Sequence, residues 1–168
     1  MTSTHHHTAA GAPATNDLFS IDTEGLTEVV PTTVVRLHDG DSLDLRISAV
    51  SKRVGGDVLR MLAYNGSIPG PTLHVDQHAE LTLEVANDAD LEATVHWHGL
   101  RVENRYDGVA FETQAPIPIG GTYTQKIRFP DGGSLLVPPP HPRGLWAGAG
   151  LVWHGHCRAV RPVVLASD

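Results

Sequence analysis

The middle of the chain consists of short alternating runs separated by turn residues, and this pattern limits the fold more than any other feature. Apolar side chains alternate with polar ones in residues 42–49, 81–85 and 123–129, which is the period of a half-buried strand. Asp-Gly and Asn-Gly pairs at 39–40, 65–66 and 107–108 supply the positive φ angles that tight turns need. Short strands at this spacing predict an all-β sandwich or barrel.

Length, charge and cysteine content exclude several function classes. The 168 residues suffice for one β domain of ordinary size. The net charge of −7 argues against binding nucleic acid through its phosphates, and no apolar run reaches the length of a membrane span. The single cysteine, Cys157, excludes an internal disulfide and a cysteine-rich zinc module. The eleven histidines direct attention to metal binding instead.

Composition divides the chain into three parts. Residues 1–27 are small and polar around three consecutive histidines, so we expect a disordered leader in which no signal peptide is visible. Residues 28–133 carry the strand pattern. Residues 134–168 hold one of the 19 acidic residues, no lysine and five of the 12 prolines. We expect this last part to be a poorly ordered tail that differs in kind from the domain before it.

The sharpest local motif is Val95-His96-Trp97-His98-Gly99-Leu100. In an extended segment, residues two apart point to the same side, about 7 Å from one another by strand rise. Imidazole ligands without thiolate suit copper, zinc, iron or nickel. Taken alone, a His-x-His pair is also compatible with two hydrogen-bonded core histidines, so its neighbours in the sequence must decide.

Further motifs flank this pair in a fixed order. Before it come Y-N-G-S-I-P-G-P-T-L from residue 64 and L-T-L-E-V-A-N-D-A-D from residue 81; after it come Y-D-G-V from 106, E-T-Q-A-P-I from 112 and G-G-T-Y from 120. In order, spacing and content, residues 55–133 resemble the N-terminal plastocyanin-like (cupredoxin) domain of the laccase-like multicopper oxidases. The resemblance implies a cupredoxin-like Greek-key β-sandwich.

The resemblance also implies a site and a chemistry. In this family the first histidine of H-W-H-G binds the type 2 copper of a trinuclear cluster and the second binds one of the type 3 pair; here these are His96 and His98. The cluster reduces O2 to water with electrons that a type 1 copper in the last domain takes from an organic or metal reductant. Asp107 would lie just outside the ligands. His74 and His78 match no ligand motif, and we interpret them as solvated or turn histidines.

A second histidine pair is missing where the family has it. The family motif G-x-Y-W-Y-H-x-H should follow Phe129-Pro-Asp-Gly, but this chain continues S-L-L-V-P-P-P-H from residue 134. The later sequence Trp153-His154-Gly155-His156-Cys157 looks like a substitute, either as the second ligand pair or as a blue-copper site. We interpret it as neither, for a reason that lies in the genetic code.

The family motif reappears when the tail is read one base out of frame. If each residue takes the last two bases of one codon and the first base of the next, residues 135–145 can encode Y-W-Y-H-P-H-I-R-E-D. Residues 146–159 can then encode G-Q-E-L-G-L-Y-G-(T or M)-V-I-V-E-P. Trp146 and Trp153 have a single codon, so both are forced to glycine, and both glycines fall where the family pattern has them. The agreement extends over roughly 25 positions, far beyond a chance motif match.

We therefore expect residues 134–168 to be an out-of-frame tail, and His141, His154, His156 and Cys157 to carry no evolved role. The sandwich should then be incomplete, with an unpaired edge in its second sheet and marginal stability. The expected function is that of a copper-binding fragment unable to turn over alone. A standalone copper-handling module and a metal-free interaction domain are the alternatives. No signal peptide is visible, although relatives are often secreted or periplasmic, so localisation is left undecided.

Overall fold

The computed structural model describes residues 20–137 and 163–167, and nearly all regular structure within them is strand. One sheet has the order β3-β2-β5-β6; its strands are β2 (Ser42–Val54), β3 (Asp57–Tyr64), β5 (Glu80–Asn87) and β6 (Thr122–Arg128). The other has the order β1-β4-β8-β7; its strands are β1 (Val34–Leu37), β4 (Thr72–Asp76), β7 (Gly133–Leu136) and β8 (Val163–Ser167). The predicted all-β, two-sheet class is confirmed.

The pairing mixes local hairpins with distant parallel contacts. β2 and β3 form an antiparallel hairpin, and β5 pairs antiparallel with β6. β2 and β5 are parallel, as are β1 and β4, so the chain must cross between the sheets to build these pairs. These crossings enclose a core between the two sheets.

Alternating side chains fill that core as the sequence pattern predicts. The inward positions of β2, β5 and β6 are almost completely buried, and they include Ile47, Leu81, Leu83, Val85 and Ile127. Trp97, from the histidine motif, belongs to the same cluster. The segment that carries the candidate metal ligands is therefore anchored in the main core.

The second sheet continues beyond residue 133. β7 begins at Gly133, and Val137, directly after its end, is buried in the core. β8 lies between β4 and β7, parallel to the first and antiparallel to the second. Residues 134–136 and 163–167, which fall in the predicted tail, therefore take part in the second sheet in the part of the chain that the structure describes. A short Val/Leu-rich run can pair with open strand edges because backbone groups carry the pairing.

Two further expectations concern the ends of the chain. Of the predicted leader, residues 20–27 are described, and Thr27 already accepts a backbone hydrogen bond from Ser51 in β2 at 2.9 Å. This hydrogen bond joins the end of the predicted leader to β2. His5–His7, His141, His154, His156 and Cys157 lie outside the described residues. Within residues 20–137 and 163–167, no helix is long and apolar enough to cross a membrane.

Candidate metal centre

His96 and His98 lie side by side on a segment whose alternate residues are buried in the core. Val95 and Trp97 are buried, whereas His96 is half-buried and His98 is exposed, which is the alternation of extended backbone. The ring centroids of His96 and His98 lie 5.7 Å apart, with an interplanar angle of 78°. The predicted pairing of these imidazoles on one side is confirmed by this contact.

The segment differs from the expected strand in one respect. Residues 94–97 belong to no assigned strand, although Ala93 forms an isolated bridge with Ile117 just before them. Side-chain hydrogen bonds and close packing, rather than a continuous ladder, hold the histidines in place. These contacts involve a loop on one side of the segment and a buried amide on the other.

His96 is fixed by the loop that follows the 3₁₀ helix Asn104–Tyr106. Its Nδ1 lies 2.6 Å from the backbone carbonyl oxygen of Asp107, and the Asp107 carboxylate oxygen Oδ1 is 3.7 Å from the same nitrogen. A carbonyl oxygen can only accept, so Nδ1 carries the proton in this hydrogen bond. A neutral ring then has its lone pair on Nε2, which is the arrangement in which metal-binding histidines are commonly held.

Gly108 allows this loop to approach the histidine segment. Its φ is +80°, and a Cβ placed there would lie 1.9 Å from the carbonyl oxygen of Val95 and 2.9 Å from the Cα of His96. Any side chain would therefore push the loop away from His96. The Asp-Gly pair, which the sequence indicates as a turn, also sets this contact.

Trp97 is fixed on the core side by a buried amide. Its indole nitrogen donates to Oε1 of Gln125 at 3.1 Å, and Gln125 is completely buried. Gln125 Nε2 donates in turn to the carbonyls of Val95 and Tyr106 at 3.4 Å and 3.3 Å. Sequence reasoning missed this residue. The available signal was a polar side chain on the apolar face of β6, between Tyr123 and Ile127.

The other described histidines do not join the pair. His78 is an exposed turn residue with a φ of 68°, as predicted, whereas His74 is half-buried within β4 and lies in no turn. Among residues 20–137 and 163–167, no group of three or more His, Cys, Asp or Glu side chains could hold a metal ion. The described part of the chain therefore contributes two adjacent imidazoles, a donor set that suits copper as part of a larger ligand shell.

Comparison with known proteins gives the family. A family model described as multicopper oxidase matches residues 30–156, well over half of the chain. Laccase-3 of Oryza sativa subsp. japonica is 36% identical over 106 residues, which is 62% of this chain and 16% of the rice protein. Multicopper oxidase MmcO of Mycobacterium tuberculosis is 31% identical over 106 residues, covering 62% of this chain and 21% of that protein.

A solved structure supports the same conclusion. The blue copper oxidase from Nitrosomonas europaea matches with a TM-score of 0.63 and 27% identity, over 76% of this chain and 39% of that one. The fold is thus a cupredoxin-like β-sandwich, as predicted. The chain belongs to the multicopper oxidase family, whose cofactor is copper. It spans about a fifth or less of the two curated relatives above.

Proposed function

We propose that this chain is the copper-binding N-terminal domain of a laccase-like multicopper oxidase, with His96 and His98 as its copper ligands. The observation that carries the proposal is the pair of adjacent imidazoles, whose ring centroids lie 5.7 Å apart, with Nδ1 of His96 held by the Asp107 carbonyl. By the family resemblance, His96 would bind a type 2 copper and His98 would bind one of a type 3 pair. Bound copper would supply the redox chemistry that couples substrate oxidation to the reduction of O2.

The chain's own residues bind and orient in this scheme. The Asp107 carbonyl keeps the proton of His96 on Nδ1, and the buried Trp97 holds the backbone between the two ligands. Two imidazoles are too few to enclose a trinuclear centre. The remaining ligands would come from the histidine motif missing from the translated frame and from another domain, so we propose that this chain does not turn over alone.

Copper binding with matched variants tests the assignment. Titration of the purified full chain with Cu2+, followed by electron paramagnetic resonance, should show nitrogen-coordinated copper that His96→Ala/His98→Ala loses. The control is His74→Ala/His78→Ala, which removes two imidazoles remote in sequence and should leave that signal unchanged. Retained tight binding in the first double variant would refute the site. No uptake by the wild-type chain would favour a metal-free interaction domain.

We also propose that residues 134–168 are translated out of frame after a one-base slip near codon 134. The support is the genetic-code reading given above, in which the family's second histidine pair appears in the next frame. Resequencing the gene and its transcript around codon 134 tests this. Codons that do not spell Y-W-Y-H-x-H in the shifted frame would overturn it, and restoring that frame should raise copper stoichiometry.

A further inference from the structure

The loop beside His96 is held by an unusual row of hydrogen bonds. Three consecutive carbonyl oxygens, those of residues 105, 106 and 107, each accept from a side chain. The donors are the Tyr123 hydroxyl to Arg105 at 2.8 Å, Gln125 Nε2 to Tyr106 at 3.3 Å and His96 Nδ1 to Asp107 at 2.6 Å. Two of the three donors project from β6, so this strand fastens the loop that holds the ligand.

Gln125 is connected to both sides of this contact. Through Oε1 and Nε2 it binds the indole of Trp97 and the carbonyl of Val95, which flank His96 in the sequence. Through Nε2 it also binds the carbonyl of Tyr106, next to Asp107. One fully buried amide thus sets the distance between the histidine segment and the loop that presents the Asp107 carbonyl.

Burying this amide has a cost that packing alone would not require. β6 places Gln125 on the core face, where its neighbours Ile127 and Phe129 are apolar and fully buried. A buried amide is tolerated when all its hydrogen-bonding groups have partners. Loss of one partner leaves a buried polar group without a hydrogen bond, which lowers the stability of the fold. The geometry therefore assigns Gln125 a role in orientation.

We propose that Gln125 is a positioning residue for copper binding. It holds the carbonyl of Asp107 against Nδ1 of His96 and so fixes the tautomer that presents Nε2 to copper, and Tyr123 reinforces the same loop one residue earlier. The inference rests on the proposed function only in taking His96 as a copper ligand. The tautomer itself is a property of the copper-free chain.

Nitrogen-15 NMR of the copper-free full chain tests the proposal at neutral pH. Long-range imidazole correlations should show that the neutral His96 ring of the wild type carries its proton on Nδ1 and not on Nε2. In Gln125→Met, which nearly conserves volume but removes both amide groups, we expect a mixture of the two neutral forms. Copper affinity should fall about 10- to 100-fold, the usual effect of removing an outer partner of a metal ligand. Tyr123→Phe should shift both quantities the same way but less.

A control separates this role from general destabilisation. Val50→Ala leaves a cavity in a small separate cluster formed with Ala63 and Ile68, so it should lower stability while leaving the His96 tautomer and copper affinity unchanged. A wild-type His96 protonated on Nε2 would overturn the proposal whatever the variants do. If Gln125→Met keeps the single Nδ1–H form and wild-type affinity, the proposal is also overturned. Should that variant not fold, an unchanged tautomer in Tyr123→Phe overturns it.

The two proposals can fail independently. If the predicted tautomer change occurs but copper binding does not depend on His96, the proposed function is wrong and the positioning network stands. If copper binding depends on His96 but the His96 tautomer is unchanged in Gln125→Met, the positioning role is wrong and the copper site stands.

Discussion

The ring of Phe129 stands edge-on to the indole of Trp97, with centroids 6.2 Å apart and an interplanar angle of 89°. Edge-to-face aromatic pairs add about 0.5–1.5 kcal/mol to the burial of their surfaces. Phe129 follows β6 directly and is fully buried, so this contact joins the first sheet to the residue between His96 and His98. The core is therefore in direct contact with the segment that carries the two histidines.

Phe129→Ala should lower the free energy of unfolding by about 3–5 kcal/mol, because it removes a fully buried ring and leaves a cavity. Urea denaturation of the full chain measures this. Phe111→Ala is the matched control, since Phe111 is 61% exposed and its loss should change stability by about 0.5 kcal/mol or less. Equal effects of the two substitutions would contradict the described core.

Gly108→Ala should lower the free energy of unfolding by more than the positive φ alone accounts for. Gly40 has a similar φ of +83°, but a Cβ at that position would meet nothing within 4 Å, so Gly40→Ala should cost about 1–2 kcal/mol from the left-handed backbone. Gly108→Ala adds a clash with the Val95 carbonyl and should also weaken copper binding. Chemical denaturation and copper titration of both variants check this, and identical behaviour would show that the close approach has no consequence.

Asn87→Ala should destabilise the loop that leads to the histidine segment. Asn87 is fully buried, and its Nδ2 donates to the carbonyls of Leu91 and Ile117 at 2.9 Å each. A buried polar group left without its partner costs about 1–3 kcal/mol. Thermal or urea unfolding should show a loss of this size, and an unchanged midpoint would argue against the buried amide.

Burial raises the pKa of the Tyr64 phenol well above its ordinary value. The neutral phenol is therefore favoured in the folded state, and its contribution to stability is complete below the unfolded pKa of about 10. Above that pH the unfolded chain loses the proton first, so stability should fall by about 1.4 kcal/mol per pH unit until the folded pKa is reached. Urea denaturation between pH values of about 9 and 11, on either side of that unfolded pKa, should show a shallower decline in Tyr64→Phe. Parallel slopes would contradict the buried phenol.

Sequence pattern predicted the sandwich and the histidine pair because both follow from alternation. The inward positions of β2, β5 and β6 and the side-by-side rings of His96 and His98 depend only on local periodicity. The long-range contacts that tune the site could not be predicted in this way. The bond from Gln125 to Trp97 spans 28 residues and depends on how β6 is placed beside the histidine segment.

The tail shows the opposite limitation. Composition and frame analysis of residues 134–168 predicted a poorly ordered tail and did not indicate that Val163–Ser167 pairs with β4 and β7. Backbone pairing depends weakly on sequence, so an edge can be filled by any short run of suitable propensity. Whether the tail is translated in frame and whether it can pair as a strand are therefore separate questions, and the nucleotide sequence answers the first.

We propose that His96 and His98 hold copper in a centre that this chain does not complete. Oxygen uptake by the copper-loaded full chain with a simple phenol as reductant tests it most directly, with the His96→Ala/His98→Ala variant at equal copper as control. We expect the same background rate of oxygen uptake for both proteins. Sustained oxygen consumption by the wild-type chain that the double variant loses would contradict it.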